Sequence, residues 1–150
     1  MFCIRTYTEE CIPDVLAFER ELRVQEDFWG WEIHDDYVAA VTRSFDDPAF
    51  ENSLSLLAYE EGRVIGRIDS TMICSHFDGS TKAYLDWICV LKSHRHKGAA
   101  QQLMHALRTE LKARGAETLI GLIAANAEAQ RFYRNMENAI IRDEGIWIDL

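Results

Sequence analysis

A chain of 150 residues, 48% hydrophobic and 27% charged, is long enough for one domain spanning residues 1–150 with a proper core. No apolar run reaches membrane-spanning length, and the start, Met1-Phe2-Cys3-Ile4-Arg5, lacks a signal peptide's apolar core. A cytoplasmic protein with no membrane partner is expected, and a net charge of −9 argues against a nucleic-acid partner.

The charge is unevenly placed. Residues 1–86 carry seven Lys/Arg and eighteen Asp/Glu, which would attract a cationic partner. Residues 87–109 carry four basic side chains and no acid. Cys3, Cys11, Cys74 and Cys89 show no CxxC or Cys/His ligand spacing, so no metal is expected and they read as small hydrophobes.

In chain order, Phe2 to Tyr7 reads as a strand and Thr8 to Leu22 as a helix, with Pro13 in its first turns. Residues 24–36 interleave Phe28, Trp29 and Trp31 with acids around Gly30. They read either as a loop pinned by its aromatics or as one wall of a substrate pocket. Asp35 to Phe45 reads as a second helix, stopped by Asp46-Asp47-Pro48. Leu54 to Tyr59 and Arg63 to Cys74 read as an antiparallel hairpin around Glu61-Gly62.

Ala83 to Leu91 is a mostly apolar run rich in aromatic and branched residues, hence a buried strand. A basic turn, Lys92-Ser93-His94-Arg95-His96-Lys97-Gly98, follows. Ala100, Leu103, Met104, Leu107 and Leu111 then recur at helical spacing up to Gly115, a C′ glycine. The free N–H groups and dipole of a helix N-terminus favour an anion, so this island reads as a phosphate site or, more blandly, as a solvated basic turn. Thr118 to Ala124 reads as a strand parallel to the first buried one, through a right-handed crossover. Asn126 is placed to cap a short helix, Ala127 to Met136. The tail, Ala139 to Leu150, reads as two short strands around Asp143-Glu144-Gly145. The order β-α-α-β-β-β-α-β-α-β-β defines an α+β protein with a mixed sheet.

Two motifs in this order resemble the GCN5-related N-acetyltransferase (GNAT) family. The phosphate turn Arg/Gln-x-x-Gly-x-Gly/Ala stands as Arg95-His96-Lys97-Gly98-Ala99-Ala100, five residues after Val90. The last-helix pattern Asn-x-x-Ala-x-x-Phe-Tyr stands as Asn126-Ala127-Glu128-Ala129-Gln130-Arg131-Phe132-Tyr133. The usual proline two residues after the valine is Lys92, and the usual Gly-Phe after the last helix is Glu137-Asn138. The resemblance implies a mostly antiparallel sheet with a central splayed parallel pair and helices on both faces.

It also implies acetyl-CoA as the acyl donor, moved to a primary amine of a small molecule or peptide by direct attack on the thioester. Arg95 to Ala100 would hold the pyrophosphate, and Ile88, Cys89 and Val90 would pair with the pantetheine arm like an added strand. The Ile88 N–H would face the oxyanion, and Asn126 and Ala129 would also contact the cofactor. Tyr133 matches the family's general acid, with a core tyrosine as its plain alternative. Asp86, on the face of Ile88 and Val90 by simple alternation, is a candidate base, anchor or structural partner. The alternative function is a non-catalytic acyl-CoA sensor on the same fold, against which the presence of Tyr133 argues. The acceptor is expected to be cationic, and a homodimer is compatible with this reading.

Overall fold

The computed structural model describes residues 1–26 and 32–150. Residues 1–120 and 121–150 form two compact units. In the first, β1 (Cys3–Thr6) leads through a 3-10 turn into α1 (Ile12–Gln25), then α2 (Asp35–Ser44) and a second 3-10 turn at Pro48–Phe50. β2 (Ser53–Glu60) and β3 (Arg63–Cys74) make a hairpin whose turn residues, Glu61 and Gly62, both have positive φ. That geometry matches the twist of the flanking strands. β4 (Thr81–Val90) pairs antiparallel with β3, and a turn leads to α3 (Ala99–Ala113). β5 (Thr118–Gly121) completes a mixed sheet of order β1-β2-β3-β4-β5, in which β4 and β5 are the parallel pair.

Each face of the sheet carries helices. On one face α3 buries Leu103 and Leu107 completely. It comes this close because Gly66 of β3 has no side chain: a Cβ there would stand 3.1 Å from Val90 Cγ2 and 3.2 Å from Leu103 Cδ1. After Gly115 the helix closes in a Schellman arrangement, with Ala116 N–H on the Leu111 carbonyl at 3.0 Å and Gly115 N–H on that of Lys112 at 3.1 Å. The opposite face takes α1, which buries Val15, Phe18 and Leu22. Its C-terminal end is tied to the turn after β4, where Ser93 N–H donates to Gln25 Oε1 at 3.1 Å.

The second unit holds α4 (Ala127–Arg134) and the tail. Here the expectation of two closing strands is wrong: no strand is formed after β5 among the described residues. Ile140, Ile146, Trp147 and Ile148 are strongly exposed. Short apolar runs such as Ala139–Ile141 and Ile146–Ile148 suit a strand, but a strand exists only where a neighbour accepts its hydrogen bonds.

Candidate active site

The turn entering α3 is shaped by backbone conformation. His96 has φ +61° and Gly98 φ +91°, and Gly98 is the N-cap of α3. A Cβ on Gly98 would meet no atom within 4 Å, so the left-handed backbone, rather than crowding, is what demands glycine. Gln102 N–H makes the first helical bond, to the Gly98 carbonyl at 3.0 Å. The N–H groups of Ala99, Ala100 and Gln101 therefore precede the helical ladder at the positive end of the dipole. Lys97 is exposed beside them.

Arg95 does something the motif did not announce. Its Nε donates to the Val90 carbonyl at 3.1 Å, and its Nη2 pairs with Glu26 at the end of α1. The side chain thus braces the turn against β4 and α1. Cys89, between Ile88 and Val90, has its thiol pushed up to about 11 by burial, outweighing the nearby Arg95 charge. It stays protonated at neutral pH and is a poor nucleophile.

Asp86 requires a correction of face. Asp69 pairs with Trp87, but the next β3 residue, Ser70, pairs with Leu85, so Asp86 is the extra residue of a bulge in β4. Simple alternation fails across it. The Val90 side chain lies toward Leu103 on the α3 face. Asp86 and Trp87 both line the cleft on the α1–α2 face, and Asp86 is exposed there.

That cleft has a volume of about 1030 Å³. Its floor is a buried ionic network. Arg67 Nη1 donates to Glu19 Oε1 at 3.0 Å, and Arg67 Nε lies 2.8 Å from Asp69 Oδ2. Tyr37 OH donates to Glu19 Oε1 at 2.7 Å and Ser55 Oγ to Asp69 Oδ1 at 2.5 Å. The guanidinium carbon sits 4.9 Å from the centre of the Tyr7 ring and 5.7 Å from that of Trp87. Burial works against the Arg67 charge, but its carboxylate partners, Asp69 foremost, hold its pKa above the usual arginine value. Sequence reasoning missed Glu19, Tyr37, Ser55, Arg67 and Asp69. The available signal was Arg67 and Asp69 at i and i+2 within the strand Arg63–Cys74, two opposite charges on one face of a largely buried strand.

In the second unit, Asn126 caps α4 by accepting the Ala129 N–H at 2.8 Å. Two of the expected cofactor contacts are therefore bonded to each other. Tyr133 is half-buried, with its ring 5.2 Å from that of Phe132 in an edge-on arrangement. Burial raises its pKa, so the phenol carries its proton at neutral pH. Phe28, Trp29 and Trp31 lie outside the described residues.

A strand with a parallel neighbour, a left-handed glycine turn leading into a helix, and a bulged β4 beside a cleft fit an acyl-transferase architecture. Residues 7–137 match the acetyltransferase (GNAT) family, and the chain belongs to it. It is accordingly an acetyl-CoA-dependent N-acetyltransferase. No curated protein sequence matches the chain.

Similar solved structures include the aminoglycoside acetyltransferase meta-AAC0020 from an uncultured soil metagenomic sample, in complexes with trehalose and with sisomicin. It is 16% identical, with a TM-score of 0.83 over 99% of this chain and 96% of that one. A transcriptional regulator from Bacillus halodurans C-125 is 20% identical, with a TM-score of 0.81 over the whole of both chains. AAC(6')-Iy, bound to the bisubstrate analogue CoA-S-monomethyl-acetylneamine, is 18% identical, with a TM-score of 0.77 over 100% of this chain and 98% of that one. At these identities the likeness is one of fold. No helix among the described residues is long and apolar enough to cross a membrane.

Proposed function

We propose that the enzyme acetylates a primary amine of a cationic acceptor held in the α1–α2 cleft, by direct attack on the acetyl-CoA thioester. The observation that carries this is Asp86, an exposed carboxylate placed by the bulge on the cleft face of β4, the strand that would receive the pantetheine arm. Acetyl-CoA would place its pyrophosphate on the Arg95–Ala100 turn, with Gly98, Ala99 and Ala100 N–H groups and Lys97 supplying the positive field. His96 and Arg95 shape that turn; Ile88, Cys89 and Val90 offer strand backbone to the arm, and Asn126 and Ala129 set the start of α4. Asp86 accepts a proton from the acceptor ammonium, directly or through water, so that a neutral amine attacks. The Ile88 N–H stabilises the oxyanion. As the carbon–sulfur bond breaks, Tyr133 gives its proton to the departing thiolate. The high Cys89 pKa supports direct transfer over an acyl-cysteine route.

The test is release of CoA, followed by thiol trapping, over polyamines, aminoglycosides, amino acids and peptides. Turnover should favour cationic acceptors. Asp86→Asn should lower kcat by at least about tenfold with acetyl-CoA affinity kept. Turnover of neutral or anionic acceptors only, or wild-type kcat in a normally binding Asp86→Asn, would refute the reading.

A further inference from the structure

Glu26 is a buried carboxylate with no part in the acetyl transfer itself. It closes α1, with its N–H on the Leu22 carbonyl at 2.9 Å, and it is only 8% exposed. Its side chain reaches the turn entering α3, where it pairs with Arg95 Nη2. A carboxylate beside N–H groups offered to a phosphate opposes that ligand by its charge, and burial adds to its cost. A carboxylate in this place therefore requires a physical reason.

The reason lies in what Arg95 is fastened to. Its Nε donates to the Val90 carbonyl at 3.1 Å while Nη2 is held by Glu26. Leu91 N–H donates to Ile65 of β3 at 2.9 Å, so by alternation the carbonyl of Val90 points away from β3 and is open to Arg95. The turn between them is closed by His94 N–H on the Leu91 carbonyl at 2.8 Å. Gln25, beside Glu26, grips the same turn at Ser93, through its N–H at 3.1 Å and its Oγ at 3.2 Å. The next residue is His96, a non-glycine at φ +61°, and Gly98 at φ +91° then opens α3. A left-handed non-glycine residue persists only where its surroundings over-determine it. The fixed guanidinium of Arg95 on one side and α3 on the other supply that constraint.

We propose that Glu26 is a positioning residue for acetyl-CoA. Acting through Arg95, it holds His96 and Gly98 in the left-handed conformations that aim the first N–H groups of α3 at the cofactor's phosphates. Arg95 is then a clamp on the turn and not a phosphate ligand, with two of its three nitrogens taken by acceptors of the protein. This rests on the reading that the pyrophosphate occupies the Arg95–Ala100 turn. It makes the binding of a polyanion depend on a buried acid carried by the helix of the opposite face.

The experiment measures acetyl-CoA affinity by calorimetry, with steady-state kinetics, on the whole protein. Glu26→Ala should weaken acetyl-CoA at least about tenfold, although it removes a negative charge from the surroundings of an anionic ligand. Glu26→Gln, whose amide oxygen still accepts from Arg95, should recover most of that loss. The change should appear as a raised KM for acetyl-CoA with kcat within about twofold of wild type. A merely structural role would lower the folded fraction, and with it kcat and the binding stoichiometry, and leave Kd as it was. Arg95→Lys should lose as much as Arg95→Gln to within about twofold, because an ammonium does not reproduce the guanidinium fork. A phosphate contact would survive that exchange of cations. The double variant Glu26→Ala, Arg95→Gln should bind no more than about twofold more weakly than the weaker single variant. Unchanged or tighter binding in folded Glu26→Ala, or wild-type affinity in Arg95→Lys, overturns the inference. Gly98→Glu, which puts a negative charge in the turn itself, separates the two readings. Loss of binding there with none in Glu26→Ala overturns the clamp alone, and wild-type affinity in Gly98→Glu overturns the clamp together with the phosphate reading beneath it.

Discussion

The two faces of the sheet are built up by different means. The α3 face offers a backbone object, a left-handed Gly98 followed by the first N–H groups of a helix, all within a few residues of one another. The α1–α2 face offers a side-chain object. Glu19, Tyr37, Ser55, Arg67 and Asp69 come from two helices and two strands and meet in one buried network. The first can be altered by a methyl group without touching the core. The second cannot lose a member without leaving a charge buried. A turn held by local backbone tolerates drift in the rest of the chain, whereas a network of distant side chains ties several elements to one another and resists change at each of its members.

The largest effect should follow from breaking the second kind of site. Arg67→Ala would leave Glu19 and Asp69 facing each other's surroundings without their shared cation. A loss of about 3–5 kcal/mol is expected, the usual cost of removing one partner of a buried ion pair. That corresponds to a Tm lowered by about 10 °C, measurable by scanning calorimetry. A Tm unchanged from wild type would mean that the network is surface-like and the contrast between the faces is false.

A variant in the second unit sharpens the comparison. Tyr133→Phe keeps the ring against Phe132 and removes only the hydroxyl. Turnover should fall on the order of 10²-fold, in kcat more than in KM, while acetyl-CoA affinity and Tm stay close to wild type. Wild-type kcat in a normally binding variant would assign the thiolate's proton to another donor.

Gly98→Ala probes the backbone site with the smallest possible side chain. Open space surrounds the new Cβ, so only the φ of +91° opposes it. Relaxation of the turn should weaken acetyl-CoA about tenfold, from a strain of roughly 1–2 kcal/mol, with acceptor affinity unaffected. Calorimetry with each ligand separately checks this, and an equal loss for both would show that the two faces are not independent.

The mildest effect is on alkaline stability. Burial lifts the Tyr7 phenol from its ordinary 10.0 to about 12, against the pull of the Arg67 charge. A raised pKa means that the folded protein holds the proton more tightly than the unfolded chain. The stabilisation is complete below pH 10 and is lost as pH rises from 10 toward 12. Tyr7→Phe should therefore flatten the fall of Tm with pH in that window. An unchanged slope would place Tyr7 outside the network's charge balance.

Sequence alone determined the order and type of the elements up to α4, because hydrophobic period, turn glycines and caps are local signals. The strand Arg63–Cys74 was read with both ends correct, bounded by Gly62 on one side and the loop residues after Cys74 on the other. The Asn126 cap was legible for the same reason. Tertiary structure decided what no local signal contains. The bulge at Asp86 arises from the register of β4 on β3, and it moved that carboxylate to the other face. The Glu19–Arg67–Asp69 network joins residues up to 50 apart in sequence. The tail had the short apolar runs of strands but pairs with no strand among the described residues, and so stayed irregular. Periodicity states which residues could share a face; pairing register and neighbours decide which of them do.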